Sequence, residues 1–365
     1  MAKIGIIGAG IFGCTAAIEL SKKGHDVTIF DRADNIFNGA STINHLRHHY
    51  GFHYPRSKDT VEEIKIARES FEKEYGDSIS DFFDDYYGVS TIGSKTTPVD
   101  FIKFCDDRAL PYEIKYPEDK YLEKSKIGTC VKVPERVYDP DILKGMILKK
   151  IKENKIRLLL NSDVINGLID GKIKKITYSL AGKNIIEEFD FVINATYSNF
   201  NKFNKIFGFP RKTLLYEIVE LLELSIPNQP KIGLTIMDGE FSSVLPRGEK
   251  GTFTLGHVKE SVLDAVTTDD IDTFAFTEAN KKSNKENILK KGIEDFPFLK
   301  EASIIRSLFV TRVVKANVDA TDERPSEITK YGNGIFSIFG GKVITCVNIA
   351  KKITEMIDLE TNSSL

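Results

Sequence analysis

The first thirty residues group into short apolar runs separated by a glycine-rich turn. Residues 3–7 form an apolar run of strand length, and residues 14–23 carry apolar side chains at helical spacing up to Gly24, a residue that favours a helix end. Residues 26–30 are apolar again and are followed by Asp31. The pattern predicts a strand, a turn, a helix and a second strand, which is how many α/β domains begin.

The rest of the chain continues to alternate between strand and helix patterns. Asp139 and Pro140 predict a helix start, because an acidic N-cap and a proline at the first helical position both fit there, and the helix is expected to reach Ile151. The other predicted elements are strands over 155–161, 190–196, 214–224, 242–246 and 252–257, hairpins over 164–194 with turns at 170–171 and 181–182, a helix over 269–292, and a strand, glycine turn and helix over 334–357.

Composition narrows the class of protein. Of 365 residues, 41% are hydrophobic and 28% are charged, a globular balance that excludes disordered, collagen-like and coiled-coil chains. The length predicts two domains, or one large domain with a second inserted into it. With 51 basic and 53 acidic side chains the net charge is −2, which argues against a nucleic-acid partner because phosphate binding needs an excess of basic groups.

Neither the cysteines nor the apolar runs indicate secretion or membrane insertion. The four cysteines are scattered without metal-ligand spacing and predict free thiols in a reducing compartment. The apolar segment at residues 4–18 contains four glycines and is shorter than the roughly 20 residues of a membrane span. We therefore predict a cytoplasmic protein without a transmembrane segment.

Three glycines form a G-x-G-x-x-G motif at the predicted turn between strand and helix, namely Gly8, Gly10 and Gly13. The second glycine of such a motif lets a pyrophosphate approach the backbone, and the third lets helix and strand pack closely. The helix N-terminus adds N–H donors and partial positive charge. Asp31, after the second strand, is placed to accept hydrogen bonds from ribose hydroxyls and disfavours a 2′-phosphate. The motif predicts NAD or FAD rather than NADP.

The segment after the second strand favours FAD. Residues 38–57 form a long polar and aromatic loop, where an NAD-binding unit would continue into another helix and strand. This arrangement resembles the D-amino-acid oxidase superfamily of FAD enzymes, in which a Gly-Ala-Ser-type segment, here residues 39–41, wraps the FAD pyrophosphate. Residues 48–54 are similar to the H-x-G-x-x-Y region of the L-2-hydroxyglutarate dehydrogenase branch.

Two later stretches carry the same resemblance. Residues 190–196 are similar to the family's D-x-V-V-N-A-x-G strand, although Tyr197 replaces the usual glycine and puts the close approach of backbone to FAD in question. Residues 340–345 resemble the G-G-K-x-T-T signature of glycerol-3-phosphate dehydrogenases.

The resemblance implies an α/β fold in which a Rossmann-like FAD-binding domain is interleaved with an antiparallel-sheet α+β substrate domain. It implies an FAD-binding domain at residues 1–84, 136–204 and 318–365, and a substrate or cap domain at residues 85–135 and 205–317. The residues expected to hold FAD are Gly8, Gly10, Ile11, Phe12, Gly13, Asp31, Arg32, Ala40, Ser41, Asn44, Val164, Ala195, Thr196, Gly340, Gly341, Lys342, Val343, Ile344 and Thr345.

Arginine is scarce, at 12 of 51 basic residues, so each arginine carries more information than a lysine. A planar guanidinium can hold a carboxylate or phosphate through two hydrogen bonds. We expect Arg312, and next Arg47, to hold an anionic substrate, the alternative for each being a surface position or a structural ion pair. Three further arginines, Arg56, Arg247 and Arg324, lie in segments expected near the flavin or its roof, and Arg324 is assigned to the turn that enters the last strand.

Four of the six histidines fall between residues 45 and 53. Three of them, His45, His48 and His49, have a spacing that would suit zinc on a helix, but the segment lacks both a helical pattern and a carboxylate or cysteine partner, so no metal is predicted. We expect His48 or His53, with His49 as a third candidate, to act as a general base or as an electrophile. The alternatives are packing or hydrogen bonding against the flavin, including covalent attachment.

Lys342 and Tyr54 complete the predicted catalytic set. Lys342 precedes a predicted helix N-terminus, where it would stabilise negative charge on the flavin or bind a substrate phosphate, the alternative being a solvent-exposed lysine. Tyr54 is a candidate for packing against the flavin or for a lid, as are Tyr50 and Tyr197.

These features predict an FAD-dependent oxidoreductase that removes a hydride from a C–N bond of a small, anionic amine or amino acid, with oxygen or a redox carrier as the acceptor. The first alternative is an FAD-dependent dehydrogenase of a hydroxy acid or of a polyol or sugar phosphate. The others are a non-catalytic or redox-sensing flavoprotein and an NAD-only dehydrogenase.

Overall fold

A computed structural model of the chain describes residues 1–80, 82–270, 282–316 and 326–363. The strands are β1 (Lys3–Ile7), β2 (Asp26–Phe30), β3 (Arg47–His48), β4 (Ile79–Ser80), β5 (Asp84–Ser90), β6 (Glu113–Ile114), β7 (Ile127–Val133), β8 (Arg136–Tyr138), β9 (Arg157–Leu159), β10 (Ser162–Asp170), β11 (Ile173–Leu180), β12 (Lys183–Phe189), β13 (Phe191–Asn194), β14 (Leu214–Ser225), β15 (Ile232–Met237), β16 (Ser242–Pro246), β17 (Thr252–His257), β18 (Val262–Thr268), β19 (Ser303–Lys315), β20 (Glu327–Gly332) and β21 (Ile335–Phe339). The helices are α1 (Ile11–Lys22), α2 (Lys58–Tyr75), α3 (Pro98–Asp107), α4 (Pro140–Glu153), α5 (Phe200–Ile206), α6 (Lys285–Asp295) and α7 (Cys346–Ser363).

A mostly parallel sheet carries the N-terminal motif. Its strands lie in the order β20-β21-β13-β1-β2-β9, and only β20 runs antiparallel to its neighbour. Ile4 and Ile6 of β1 belong to a core shared with helices α1 and α7, while Ile7 belongs to a second core shared with Tyr178 and Phe189 of the hairpin sheet β10-β11-β12. Alternation along the strand therefore sandwiches this sheet between helices and a three-stranded sheet.

A second, larger sheet contains nine strands among the described residues. Its order is β18-β14-β17-β16-β15-β5-β7-β6, with β19 paired along most of β14. Helix α6 packs on it through Ile288, which lies in one core with Leu222 and Leu255. A small sheet has the order β3-β8-β4. In it, Arg47 and His48 of β3 pair with Val137 and Arg136 of β8.

Most of the elements expected from the sequence form where they were expected. The Asp139 side chain accepts hydrogen bonds from the N–H groups of Asp141 and Ile142, which is the predicted helix cap. The prediction of a helix starting at residue 269 was wrong, because residues 269–270 and 282–284 are not helical and α6 begins at Lys285. The intervening residues 271–281 lie outside the described part of the chain.

The predicted fold class, an α/β protein with a Rossmann-like sheet and a separate antiparallel sheet, is confirmed. The domain boundaries stay a prediction, and the boundary at residues 317 and 318 lies outside the described residues. Among the helices that the structure describes, none is long and apolar enough to cross a membrane.

Candidate functional site

A cavity of about 570 Å³ lies where the parallel strands end. Its walls include the residues that follow β1, β2, β13 and β21, and its roof comes from β14, β17 and β19 of the large sheet. In open α/β sheets, ligands bind at the carboxyl ends of the strands. The residues predicted to bind a cofactor that line this cavity are Gly8, Gly10, Ile11, Phe12, Asp31, Arg32, Ala40, Ser41, Asn44, Val164, Ala195, Thr196, Gly340, Gly341, Lys342 and Val343.

Two glycines of the motif have different surroundings: Gly10 borders open space, whereas Gly13 packs tightly against the backbone of Gly8. A Cβ atom on Gly10 would meet only the Ser41 Oγ atom, at 3.4 Å, so the space beside it belongs to the cavity. A Cβ atom on Gly13 would lie 2.0 Å from the carbonyl oxygen of Gly8. Gly10 therefore gives a pyrophosphate access to the backbone, and Gly13 permits the helix to pack, as the motif predicts.

Asp31 reinforces the same turn. Its carboxylate accepts hydrogen bonds from the backbone N–H groups of Ala9, at 2.7 Å, and Ala33, at 2.9 Å. A carboxylate can accept about four hydrogen bonds, so two such bonds leave acceptor capacity for a ribose. The geometry and the donor set fit the dinucleotide predicted from the motif.

Three of the predicted cofactor residues lie behind the cavity wall. Gly13, Ile344 and Thr345 do not line the cavity, and Ile344 and Thr345 are buried. The Thr345 hydroxyl donates to the Lys342 carbonyl oxygen at 2.8 Å. These three residues support the turns that carry the lining residues. The expectation that they contact the cofactor directly is therefore corrected.

Lys342 and Tyr54 meet at the cavity. The Lys342 Nζ atom lies 4.7 Å from the centre of the Tyr54 ring, and both side chains are almost fully buried. Lys342 stands at the N-terminal end of the helical segment that runs through residues 343–345 into α7. This location excludes the solvent-exposed alternative for Lys342 and places its charge where an anion would be stabilised.

Arg47 lines the cavity but is engaged with the protein. Its guanidinium donates to Tyr87 Oη at 2.9 Å, to Thr235 Oγ1 at 2.6 Å and to Glu135 Oε1 at 3.4 Å, all of them buried. Arg47 therefore forms a buried structural ion pair with Glu135, which was the alternative to a role in substrate binding. We expect it to support the site rather than to grip a substrate alone.

Arg312 reaches the cavity from the roof. It lies on β19 and its Nε donates to Glu217 Oε2 on β14 at 2.6 Å, with 34% of the side chain exposed. Arg56 and Arg247 do not line the cavity: Arg56 pairs with Asp238 at 2.7 Å, and Arg247 donates to the Thr42 carbonyl oxygen.

Arg324, which was assigned to a turn, lies outside the described residues.

The histidine cluster divides between the cavity and the core. His45, His49 and His53 line the cavity, whereas His48 does not. His48 instead packs near the Phe71 ring, with Nε2 3.3 Å from Glu72. The reason is that β3 consists of Arg47 and His48, and successive strand residues point to opposite faces. The expectation that His48 is catalytic is corrected on this geometry.

The imidazoles of His45 and His49 are held neutral. Burial lowers the pKa of His45 well below its usual value, and the charges of Arg47 and Arg312 lower it further. Burial likewise holds the pKa of His49 well below its usual range. Neutral imidazoles can accept hydrogen bonds and protons from a ligand.

His45 was absent from the predicted catalytic residues. A Cβ atom on Gly256 of β17 would lie 2.9 Å from its Nε2, so the ring fits into a gap that only glycine leaves in the roof. The sequence signal for this contact is a glycine within a strand, Gly256. It could be linked to His45 only if one knew that β17 covers the histidine loop.

A buried acidic group behind the cavity was also missed. Glu135 and Asp85 are almost fully buried and face Arg47, and burial raises the pKa of Asp85 to about 8. Tyr87 donates its hydroxyl to Glu135 Oε1 at 2.5 Å. These residues come from the connection between β7 and β8 and from β5, far from any motif, so local sequence gave no signal for them.

Tyr197 occupies the position where the family pattern has glycine. It adopts a positive φ of 51°, a conformation that glycine enters most readily, and it lines the cavity. Its hydroxyl donates to the Val313 carbonyl oxygen on β19 at 3.1 Å. Tyr197 therefore adopts a backbone conformation that glycine favours, and its ring lies against the roof.

The fold and the site define a dinucleotide-binding protein in which the large sheet covers the cavity. A family model described as FAD dependent oxidoreductase matches residues 3–307. The chain belongs to this D-amino-acid oxidase family of FAD-dependent oxidoreductases, which confirms the resemblance stated from the sequence. FAD is its cofactor, and the protein is an enzyme.

Individual relatives are distant. The chain is 25% identical over 379 aligned residues to the FAD-dependent monooxygenase FPY4 of Fusarium mangiferae, covering 98% of this chain and 92% of that protein. The glycine oxidase of Bacillus cereus has a TM-score of 0.77 at 15% identity, covering 99% and 96% of the two chains. The L-proline dehydrogenase of P. horikoshii has a TM-score of 0.74 at 17% identity, covering 98% and 93%. The two structures share the fold.

Gly10→Val tests the assignment of the glycine motif. Gly10 has a φ of −74°, which any residue adopts, so we expect valine to leave the fold intact while its side chain fills the space of the pyrophosphate. The purified variant should lose FAD on desalting and keep the far-UV circular dichroism of the wild type. Gly145→Ala, on α4 with open space around it, is the matched control and should retain FAD. Full FAD retention by Gly10→Val would contradict the assignment.

His48→Gln tests the buried place of His48. Burial lowers the pKa of His48 to about 4, below the value of about 6.5 in an unfolded chain. The unfolded state then binds more protons, so stability from neutral His48 is complete above about pH 6.5 and is lost as pH falls toward about 4. Between neutral pH and about pH 4.5, the wild type should lose about 2 kcal/mol more unfolding free energy in urea than the variant. Equal acid losses would contradict the burial of a neutral ring.

Proposed function

We propose that this FAD-dependent oxidoreductase removes a hydride from a C–N bond of a small, anionic amine or amino acid. The observation that carries the proposal is the position of Arg312, a cation on the cavity roof beside the neutral imidazole of His45. A guanidinium favours a carboxylate as its ligand, and a neutral imidazole favours an N–H group. The two groups of an amino acid match this pair.

Charge within the cavity selects the reactive form of such a substrate. Arg312 and Lys342 both line the cavity, and a positive environment disfavours a bound ammonium relative to a neutral amine. A neutral amine has the nitrogen electron pair that oxidation of the adjacent C–H bond requires. FAD supplies the acceptor for the hydride equivalent when it is bound.

Five of the six predicted catalytic residues have a task in this proposal, and His48 has none. Arg312 holds the carboxylate, Lys342 stabilises negative charge at the flavin end of the cavity, and Tyr54 packs beneath Lys342. His53 contacts the substrate from the same loop. Arg47 sets the position of this loop through its buried hydrogen bonds.

The relatives widen the choice of reaction within the same site. The two similar structures are named for glycine and L-proline, which agrees with an amino-acid substrate. The relative of highest identity quoted above is named a monooxygenase, which makes oxygen the first acceptor to test. A dehydrogenase of a hydroxy acid or a polyol or sugar phosphate is the second candidate, favoured by the Gly340-Gly341-Lys342 turn at the cavity. A cytoplasmic location is proposed with either function.

The deciding experiment is anaerobic reduction of the purified FAD-loaded protein. Amino acids, N-methyl amines, hydroxy acids and sugar phosphates are added in turn, and loss of the visible flavin absorbance is followed. We expect an anionic amine or amino acid to bleach the flavin. Bleaching by hydroxy acids or sugar phosphates alone would indicate the second candidate, the dehydrogenase. Absence of bleaching by every compound would indicate a redox-sensing flavoprotein.

The acceptor is tested by admitting air to the reduced protein. Fast reoxidation with hydrogen peroxide as product indicates an oxidase, incorporation of labelled oxygen into the product indicates a monooxygenase, and slow reoxidation indicates a redox carrier.

Arg312→Lys tests the carboxylate contact against a matched control on the same strand. Lysine keeps the charge and loses the planar fork, so we expect KM for the substrate to rise about tenfold or more with little change in kcat. Arg306 also lies on β19 and pairs through Nε with a glutamate of β14, Glu223, at 2.7 Å, but it does not line the cavity. Arg306→Lys should leave KM unchanged. Equal KM values for the wild type and Arg312→Lys would remove Arg312 from the substrate site.

A further inference from the structure

One cavity imidazole faces a buried carboxylate. The Nδ1 atom of His49 lies 3.8 Å from Oε1 of Glu135. The Glu135 side chain has no exposed surface, whereas 14% of the His49 side chain is exposed and His49 lines the cavity. Nδ1 is buried and makes no hydrogen bond to any residue that the structure describes. The ring nitrogen that a ligand in the cavity can reach is therefore Nε2.

Glu135 is fixed in its orientation. Its Oε1 accepts the Tyr87 hydroxyl at 2.5 Å, and its Oε2 accepts the Tyr50 backbone N–H at 2.8 Å. The Arg47 guanidinium lies 3.4 Å from Oε1. Three donors from two parts of the chain, the segment 47–50 and β5, hold the carboxylate, so it cannot turn away from His49 without breaking buried hydrogen bonds.

We propose that His49 is the catalytic residue that takes the proton lost by the substrate, and that Glu135 is a positioning residue that directs Nε2 of His49 to the cavity. A carboxylate beside Nδ1 favours the tautomer with hydrogen on Nδ1, which leaves the electron pair of Nε2 free to accept a proton. The inference rests on the proposed oxidation and names a residue that carries it out.

The step balances for an amine and for an alcohol. A substrate H–C–X–H, with X nitrogen or oxygen, loses the C–H hydrogen with its two bonding electrons to the FAD. It loses the X–H hydrogen as a proton to Nε2 of His49. A C=X double bond forms, the FAD gains two electrons and one hydrogen, and the imidazole becomes an imidazolium that later returns its proton to solvent.

The surroundings of His49 suit a group that is neutral before the reaction. After burial, the cations that face the ring and disfavour its protonation are Arg47 and Lys342, and protonation of His53 or His48 would disfavour it further. The Tyr54 ring lies 5.5 Å from the His49 ring. Glu135 faces the ring at Nδ1, and burial raises the pKa of Glu135, while Arg47 and the hydrogen bonds from the Tyr50 N–H and the Tyr87 hydroxyl act against that rise. As a carboxylate, Glu135 offsets the cations once a proton arrives on His49. At 3.8 Å the contact is longer than a hydrogen bond, but attraction between charges does not require one.

The first test compares variants by the rate of anaerobic flavin reduction in the FAD-loaded protein, with the compound that bleaches the wild type. His49→Gln should reduce the limiting rate about 100-fold, the size typical of a general base, with little change in substrate Kd. Glu135→Gln should reduce it about tenfold and shift the acid limb of the rate to lower pH, because loss of the carboxylate weakens the base. His48→Gln, one residue away and outside the cavity, should match the wild type near neutral pH.

The second test does not depend on turnover. Nitrogen NMR of the FAD-loaded protein with labelled histidine should give His49 as the Nδ1–H tautomer, with the signal assigned by its loss in His49→Gln. Glu135→Gln should shift this signal toward the other tautomer. An Nε2–H tautomer for His49 in the wild type overturns the proposal even where Glu135→Gln fails to fold or no tested compound bleaches the flavin.

These outcomes distinguish a failure of the His49–Glu135 proposal from a failure of the proposed oxidation. Bleaching of the wild type together with an unchanged rate in His49→Gln overturns the role of His49 and leaves the proposed function standing. A rate lost in His53→Ala and kept in His49→Gln assigns the proton to His53 instead. Absence of bleaching in the wild type counts against the proposed function, and the NMR result still decides the pair.

Discussion

The buried ion pair between Arg47 and Glu135 joins the parts of the chain that form the cavity. Arg47 lies on β3, Glu135 lies between β7 and β8, and the guanidinium also donates to Tyr87 on β5 and Thr235 on β15. Removal of one partner from such a pair costs about 3–5 kcal/mol, because the other is left buried without compensation. The pair therefore ties the small sheet to the large one in a single arrangement, and the histidine loop next to Arg47 is fixed with it.

The charged groups around the cavity are likewise fixed in place by the fold. Glu135 compensates Arg47, and Glu217 compensates one nitrogen of Arg312 from the side of the roof. Lys342 also lines the cavity, beside the Tyr54 ring. Cations that are held in place by protein carboxylates outside the cavity need not be reorganised when an anion enters, which is the condition for strong electrostatic stabilisation of a reacting group.

The features that could be predicted from the sequence depend on residues close together in the chain. The turn from Gly8 to Gly13 and the cap at Asp139 follow from local steric and hydrogen-bonding rules, and both form as expected. Glu135 and Gly256 could not be found in this way, because their meaning arises only when the large sheet is folded over the loop. The helix that precedes Phe296 begins at Lys285 and not at residue 269, because a helical pattern of charged and apolar residues does not by itself mark where the helix starts.

The division between His48 and His49 shows how finely the fold sets chemistry in this segment. The two rings are adjacent in sequence and both are shielded from solvent, yet His48 packs near Phe71 and His49 faces the cavity. Pairing of β3 with β8, with Arg47 opposite Val137, fixes which side of the strand each residue takes. A shift by one residue would exchange the faces and move Arg47 out of its network with Tyr87 and Thr235. The same buried hydrogen bonds that hold Arg47 therefore determine which histidine can reach a substrate.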